Sequence, residues 1–251
     1  KLLVMDETGD IKKIVSKEYP LFFPHPGWSE QKPEDWFEKS MEGIKELTAE
    51  CDKSQVAGIS FGGQMHGLVA LDKDDNVIRP AILWNDGRTG KETEYLNEVI
   101  GKDKLSEYTA NIAFAGFTAP KILWVKENEP EIYEKTACFL ISSKDYIIGR
   151  LTSVFAGDMT ACSTAGAMDL DKKIWSEELI GAAGVDIKKF PKLFYAHECV
   201  GTVTETGATE SGYPAGTKVY AGTGDAGATT LASGILAPGE YNINLGTSGW
   251  V

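Results

Sequence analysis

The chain has 251 residues, 42% apolar and 25% charged, with 25 Lys+Arg against 37 Asp+Glu for a formal net charge of −12. This is ordinary globular composition with room for one large domain or two small ones. An acidic balance without a Lys/Arg run gives no footprint for a phosphate backbone or an anionic membrane. Apolar stretches break within about ten residues, where a membrane-crossing helix needs roughly 20, and no basic-then-apolar leader opens the chain, so a soluble, cytoplasmic protein is expected.

In chain order, an apolar run over 2–5, a turn at 6–10 and a return over 11–15 predict a hairpin. A second hairpin, over 68–71 and 77–78 around Asp72-Lys73-Asp74-Asp75-Asn76, echoes the first in apolar content and turn chemistry. Between them Pro33-Glu34-Asp35-Trp36 opens a helix, with Pro in the first turn and acids at its positive end. Phe37, Met41, Ile44 and Leu47 recur there at helical spacing. A short strand over 56–60 then runs into the glycine-rich turn Phe61-Gly62-Gly63-Gln64. Helix, strand and glycine turn in succession are α/β grammar, in which active-site loops lie at the carboxyl ends of strands.

Further helices are predicted over 89–100, 120–128 and 144–151, the last preceded by the capping candidates Ser142 and Ser143. Residues 155–166 read as an irregular connection or strand pair, and a helix follows over 176–183. A buried strand over 218–221 ends in Gly222-Thr223-Gly224-Asp225, followed by a helix of small residues over 226–233. A last strand spans 241–245. Cys51, Cys138, Cys162 and Cys199 form no CxxC pair and are expected to be reduced and mostly buried. His25, His66 and His197 are equally scattered, so no protein-held metal is expected.

Four places carry chemistry. Asp225, after a strand and a GxG turn, stands where a general base for a hydroxyl is useful, although Asp at a helix start also caps first-turn amides. Gly246-Thr247-Ser248-Gly249 offers amides and hydroxyls that could cradle phosphate or form an ordinary turn, and it lacks the Lys of a Walker A motif. Gln64, Met65 and His66 put an amide, a soft apolar wall and an imidazole at a strand end, suited to a polyol or to structure alone. Trp84, Asn85, Asp86 and Arg88 have carbohydrate-site composition, with a surface Asp86–Arg88 pair as the structural alternative.

Together and in this order these stretches resemble the FGGY carbohydrate kinases, most of all the branch that phosphorylates D-xylulose. The similarity is carried by Pro26-Gly27-Trp28-Ser29-Glu30-Gln31 with Pro33 and Trp36, and by Gly63-Gln64-Met65-His66-Gly67-Leu68. It continues through Arg79-Pro80-Ala81-Ile82-Leu83-Trp84-Asn85-Asp86-Gly87-Arg88, and through 116–128 with Thr118, Lys121, Trp124 and Val125. It departs at Ala226, where Asn is usual, and at Lys32, where an acid is usual.

The resemblance implies an α/β, actin-like ATPase or ribonuclease-H-like domain with a mixed sheet and flanking helices. This domain binds the sugar and is followed by a second domain of similar fold that holds ATP. Asp225 becomes the base that takes the hydroxyl proton, and Gln64, Met65, His66, Trp84, Asn85, Asp86 and Arg88 become sugar-binding candidates. Gly246, Thr247 and Ser248 would lie on the nucleotide's phosphates, and magnesium would arrive with ATP. The implied reaction converts D-xylulose to D-xylulose 5-phosphate. Gluconate or another pentulose or polyol is the alternative acceptor, and a non-catalytic sugar-binding module is the alternative from another class. A homodimer is left open.

Lys1 to Asp6 already lies inside an apolar run and the last residues carry no polar tail, whereas termini are usually polar and frayed. An excerpt of a longer protein is therefore expected, with 1–238 the sugar-binding domain lacking its first strand and 239–251 the start of the ATP-binding domain. Such a piece is expected to be inactive by itself.

Overall fold

A computed structural model describes residues 1–237, 239–245 and 249–250. In chain order the elements begin β1 (Leu2–Met5), β2 (Ile11–Val15), β3 (Glu30–Gln31), α1 (Pro33–Leu47), β4 (Gly62–Gly63), β5 (Val69–Leu71) and β6 (Ala81–Ile82). Next come α2 (Gly90–Leu96), α3 (Lys102–Thr109), α4 (Thr118–Asn128), α5 (Pro130–Lys135), β7 (Cys138–Leu140), α6 (Ser143–Thr152), β8 (Ala156–Asp158) and α7 (Met159–Ser163). The chain continues through β9 (Met168–Asp169), β10 (Ile174–Trp175), α8 (Glu177–Ala182), β11 (Lys192–Phe194), β12 (Cys199–Thr202) and α9 (Glu205–Ser211). It closes with β13 (Lys218–Tyr220), β14 (Thr223–Gly224), α10 (Asp225–Ala232), β15 (Asn244–Leu245) and β16 (Gly249–Trp250).

Successive strand side chains point to opposite faces, and that alternation sorts the central strands between two cores. Val69, Leu71, Ala81 and Leu83 join Trp36, Phe37, Met41 and Ile44 of α1 and Tyr146, Ile148 and Leu151 of α6. Their neighbours Leu68, Ala70 and Ile82 join Ile122, Trp124 and Val125 of α4 and Tyr133 of α5 on the other face. A layer covered on both faces needs apolar residues at every position, which is why 68–71 reads as an unbroken apolar run. Strand pairing is mixed. β5 pairs antiparallel with β7, Leu68 bridges Ile82 antiparallel and β6 pairs antiparallel with β3, whereas β4–β14 and β8–β11 are parallel.

Both hairpins form, and their turns share one device. Asp6 Oδ1 accepts the amides of Thr8 and Asp10 at 3.0 Å each, and Asp72 Oδ1 accepts those of Asp74 and Asn76 at 2.9 Å each. The strand expected over 56–60 is reduced to the Ile59–Val219 bridge, and regular pairing starts at the glycines that follow. The helix expected over 89–100 breaks into α2, a π-turn over Asn97–Gly101 and α3. Residues 155–166 are not irregular: they form β8 and α7, the helix starting where the Asp158 side chain accepts the amides of Thr160 and Ala161. α9 was not foreseen, since Glu205 to Ser211 has no apolar period. Of the four cysteines, all free, only Cys162 is fully buried and Cys199 is exposed, correcting the expectation of mostly buried thiols. The expected domain boundary at 238 and the turn of Gly246, Thr247 and Ser248 lie outside the described residues.

Gly222 links β13 to β14 at φ +66°, and a Cβ there would overlap the Phe61 carbonyl. Gly222→Ala should therefore cost about 2 kcal/mol or more in urea denaturation, since the left-handed backbone alone costs roughly 1–2 kcal/mol for a residue with a Cβ. Gly216→Ala, at φ +89° with open space around it, is the control that carries strain without overlap and should lose less.

Candidate active site

Parallel strands end at the same edge of a sheet, and here two of them end side by side. Thr223 pairs with Gly62 and Gly224 with Gly63, so the residues that follow each strand, Gln64-Met65-His66 and Asp225, emerge together. Glycine permits the approach: a Cβ on Gly224 would stand 2.7 Å from the Met65 side chain.

Asp225 is the first residue of α10, behind Gly224 as the cap. Its side chain accepts a bond from its neighbour Ala226 N at 3.0 Å and is exposed. The carboxylate is therefore not occupied in capping the deeper amides of the first turn, which leaves it available to an external donor.

The floor beneath it is a buried charge cluster. Lys144 Nζ, on a residue 2% exposed, lies 2.6 Å from Asp145 Oδ1 and 2.7 Å from Asp158 Oδ2. Burial alone would lower the Lys144 ammonium, but the two carboxylates outweigh it and hold its pKa above the ordinary lysine value. Ser142 Oγ donates to the Gln64 carbonyl at 2.8 Å. Asp158 starts α7, whose Ala161 and Thr160 back onto Gly224 and Gly227. Strand ends, α6 and α7 are thereby pinned around one cluster, whose charged members were not singled out by the sequence.

The sugar-loop candidates separate by what their side chains already do. Gln64 Nε2 donates to Gln31 Oε1 at 3.2 Å, the same oxygen that accepts Trp36 Nε1 at 2.9 Å. Trp84 and Asn85 are exposed. Asp86, 2% exposed, accepts Ser29 N at 2.6 Å, Arg88 N at 3.0 Å and Arg88 Nε at 2.9 Å. Burial works to raise the Asp86 pKa, and these hydrogen bonds outweigh it and hold the carboxyl below its ordinary value. Arg88 also donates to Glu30 at 2.8 Å and lies over the Trp28 ring at 3.6 Å. The Asp86–Arg88 pair thus exists, but buried beneath the loop rather than on the surface. Two buried nitrogens, Arg88 Nη1 and His66 Nδ1, have no hydrogen-bond partner among the described residues. Unmatched buried polar atoms of this kind are rare.

His66 holds a left-handed backbone at φ 65°, unusual for a residue with a Cβ. Its ring stacks on Phe117, with centroids 4.9 Å apart and planes at 19°. Lys121, 0% exposed on α4, donates from Nζ to the His66 carbonyl at 2.7 Å and to the Gly116 carbonyl at 2.8 Å. Gly116 in turn meets Trp84: a Cβ on it would stand 2.7 Å from the Trp84 carbonyl oxygen. A lysine amid Ile122, Leu123, Trp124 and Val125 was the available signal, since a buried cation needs partners, but nothing local revealed that these are backbone carbonyls. Burial lowers the Lys121 ammonium to about 7, the Asp86 carboxylate opposing and Arg88 adding to the shift.

Burial, with the Lys121 charge adding, lowers the His66 imidazole to about 3 from its ordinary 6.5. Below pH 6.5 the unfolded chain therefore binds a proton that the folded chain does not, and stability falls by about 1.4 kcal/mol per pH unit toward pH 3. Relative to His66→Gln, the native chain should lose about 2 kcal/mol between pH 7 and 5 in urea denaturation. A stability difference independent of pH would refute the buried neutral ring.

Residues 1–232 match the FGGY family of carbohydrate kinases, N-terminal domain. The chain is 39% identical over 251 residues to the xylulose kinase of Bacillus subtilis (strain 168), an alignment covering 99% of this chain and 50% of that protein. It superposes on the ligand-bound xylulose kinase from Lactobacillus acidophilus with a TM-score of 0.92 at 26% identity, over 98% of this chain and 50% of that one. For the gluconate kinase from the same organism the TM-score is 0.83 at 26% identity, over 89% of this chain and 45% of that one. The chain spans about half the length of the curated relatives it matches. These neighbours have the actin-like ATPase fold, and the mixed sheet between helix layers is that fold here. With the family match running from the first hairpin to the helix that Asp225 begins, the chain belongs to the FGGY family of carbohydrate kinases, whose N-terminal domain it carries.

Proposed function

We propose that this chain is the acceptor-binding part of an ATP-dependent ketopentose kinase that converts D-xylulose to D-xylulose 5-phosphate. The observation that carries the reading is the parallel β4–β14 pairing, which sets an uncommitted carboxylate, Asp225, beside Gln64, Met65 and His66. The xylulose-kinase relatives support the choice of sugar.

Phosphoryl transfer needs alignment and charge neutralisation more than covalent chemistry. The Asp225 carboxylate would accept the proton of the sugar's terminal hydroxyl as that oxygen bonds to the γ-phosphorus. The bond from the γ-phosphorus to the β–γ bridging oxygen breaks, and ADP leaves with the electron pair. Met65 and Trp84 offer apolar faces to the sugar's carbons. Asn85 and the neutral His66 offer hydrogen bonds to its hydroxyls, while Asp86 and Arg88 act through the loop they brace. Among the described residues no three His, Cys, Asp or Glu side chains are grouped to hold a metal. Magnesium would arrive with the nucleotide, held by its phosphates and water, and Gly246, Thr247 and Ser248 are the residues proposed to meet those phosphates. Gluconate is the second acceptor to test, on the strength of the gluconate-kinase neighbour.

In the full-length enzyme, Asp225→Asn should lower kcat by about 10²–10⁴, the usual contribution of a general base, while calorimetry finds D-xylulose affinity within about threefold of wild type. Near-normal turnover in this variant would remove Asp225 from the role. A panel of D-xylulose, ribulose and gluconate in a coupled ADP-release assay decides the acceptor.

A further inference from the structure

α4 meets His66 at two points one helical turn apart. Phe117, immediately before the helix, stacks on the imidazole. Lys121, four residues on and therefore on the same side of the helix, binds the His66 carbonyl. The second Lys121 bond runs to Gly116, whose backbone abuts the Trp84 carbonyl. One ammonium thus joins the His66 segment to Gly116, against which the Trp84 segment packs.

Two features mark this contact as more than packing. No carboxylate lies within salt-bridge distance of Lys121 among the described residues, although burying an ammonium is costly without an anion; Lys144, by contrast, has two. The carbonyl it holds also belongs to a residue in a conformation that side chains other than Gly rarely adopt and that persists only when its surroundings over-determine it.

Building on the ketopentose-kinase reading, we propose that Lys121 and Phe117 form a clamp that holds His66 in its strained backbone and stacked ring orientation, making Lys121 a positioning residue for the sugar rather than a contact to it. Arg88 and Asp86 are the charged groups that face it from the 84–88 loop, and both are committed to their own network. The clamp therefore acts through backbone carbonyls and the ring stack. Its loss should weaken sugar recognition while leaving the nucleotide side untouched.

The test uses full-length enzyme with Lys121→Met, Phe117→Leu and His66→Ala, and Lys121→Met combined with His66→Ala. Lys121→Met should raise KM for D-xylulose at least tenfold and Phe117→Leu severalfold, with KM for ATP within twofold. The Lys121→Met and His66→Ala effects should be strongly non-additive, because both remove the same positioned imidazole. Independently of any substrate, NMR should find the His66 ring neutral down to about pH 4 in wild type and titrating close to the ordinary histidine range in Lys121→Met. Unchanged sugar KM in Lys121→Met, additive effects in the double variant, or a His66 ring that keeps its wild-type titration would each overturn the clamp. Phe117→Leu carries the same test if Lys121→Met does not fold. If wild type phosphorylates no sugar yet Lys121→Met still frees the His66 ring, the clamp stands and the substrate reading falls.

Discussion

The parallel pairing of two glycine-ended strands, Gly62–Gly63 against Thr223–Gly224, is the constraint on which the rest of the site depends. Residues about 160 apart in sequence are brought into register there. Side chains on Gly63 or Gly224 would push into Lys144, Ser142 or Met65, so the two loops could not close on each other. A carboxylate and the Gln64-Met65-His66 loop become neighbours because the backbone beneath them carries nothing that separates them.

Around that pairing the chain deals with buried charge in two ways. Lys144 is balanced by two carboxylates and ties α6, β8 and α7 into one floor. Lys121 meets only carbonyl oxygens, which leaves its charge poorly compensated but fixes two backbone segments at chosen points. A third cluster of Glu30, Arg79, Asp86 and Arg88, under the Trp28 ring, sets the height of the 84–88 loop. Rigid support of this kind would suit the proposed phosphoryl transfer, a reaction that gains most of its rate from alignment.

Much of the fold was legible because it rests on local chemistry. Pro33 with two acids, Asp6 and Asp72 in their turns, and the apolar run at 68–71 each determine their element without distant help. Two of the helices that were missed have a different origin. α7 forms because the Asp158 side chain caps amides just beyond it, and α9 because Thr204 caps Gly207 and Leu151 offers its carbonyl to the Thr204 amide. A small-residue segment with no apolar period shows neither in advance. At the site, Asp225, Met65 and His66 stood out by their position after strands, whereas Lys144, Asp145 and Asp158 resembled ordinary helix and strand residues until the chain folded around them.

By itself the sequence determined both hairpins, the helix that Pro33 opens and the α/β class, because each follows from periodicity, turn chemistry or motif order within a few residues, and it put forward candidate side chains for a polyol. Only the tertiary structure decided which of those side chains remain free. Asp86 spends every lone pair within reach on Ser29 and Arg88, Asp225 spends little, and the His66 carbonyl is held by a lysine some 50 positions downstream while burial keeps its ring neutral. Hydrogen-bonding capacity and burial belong to neighbours in space, and one-dimensional spacing carries no record of them.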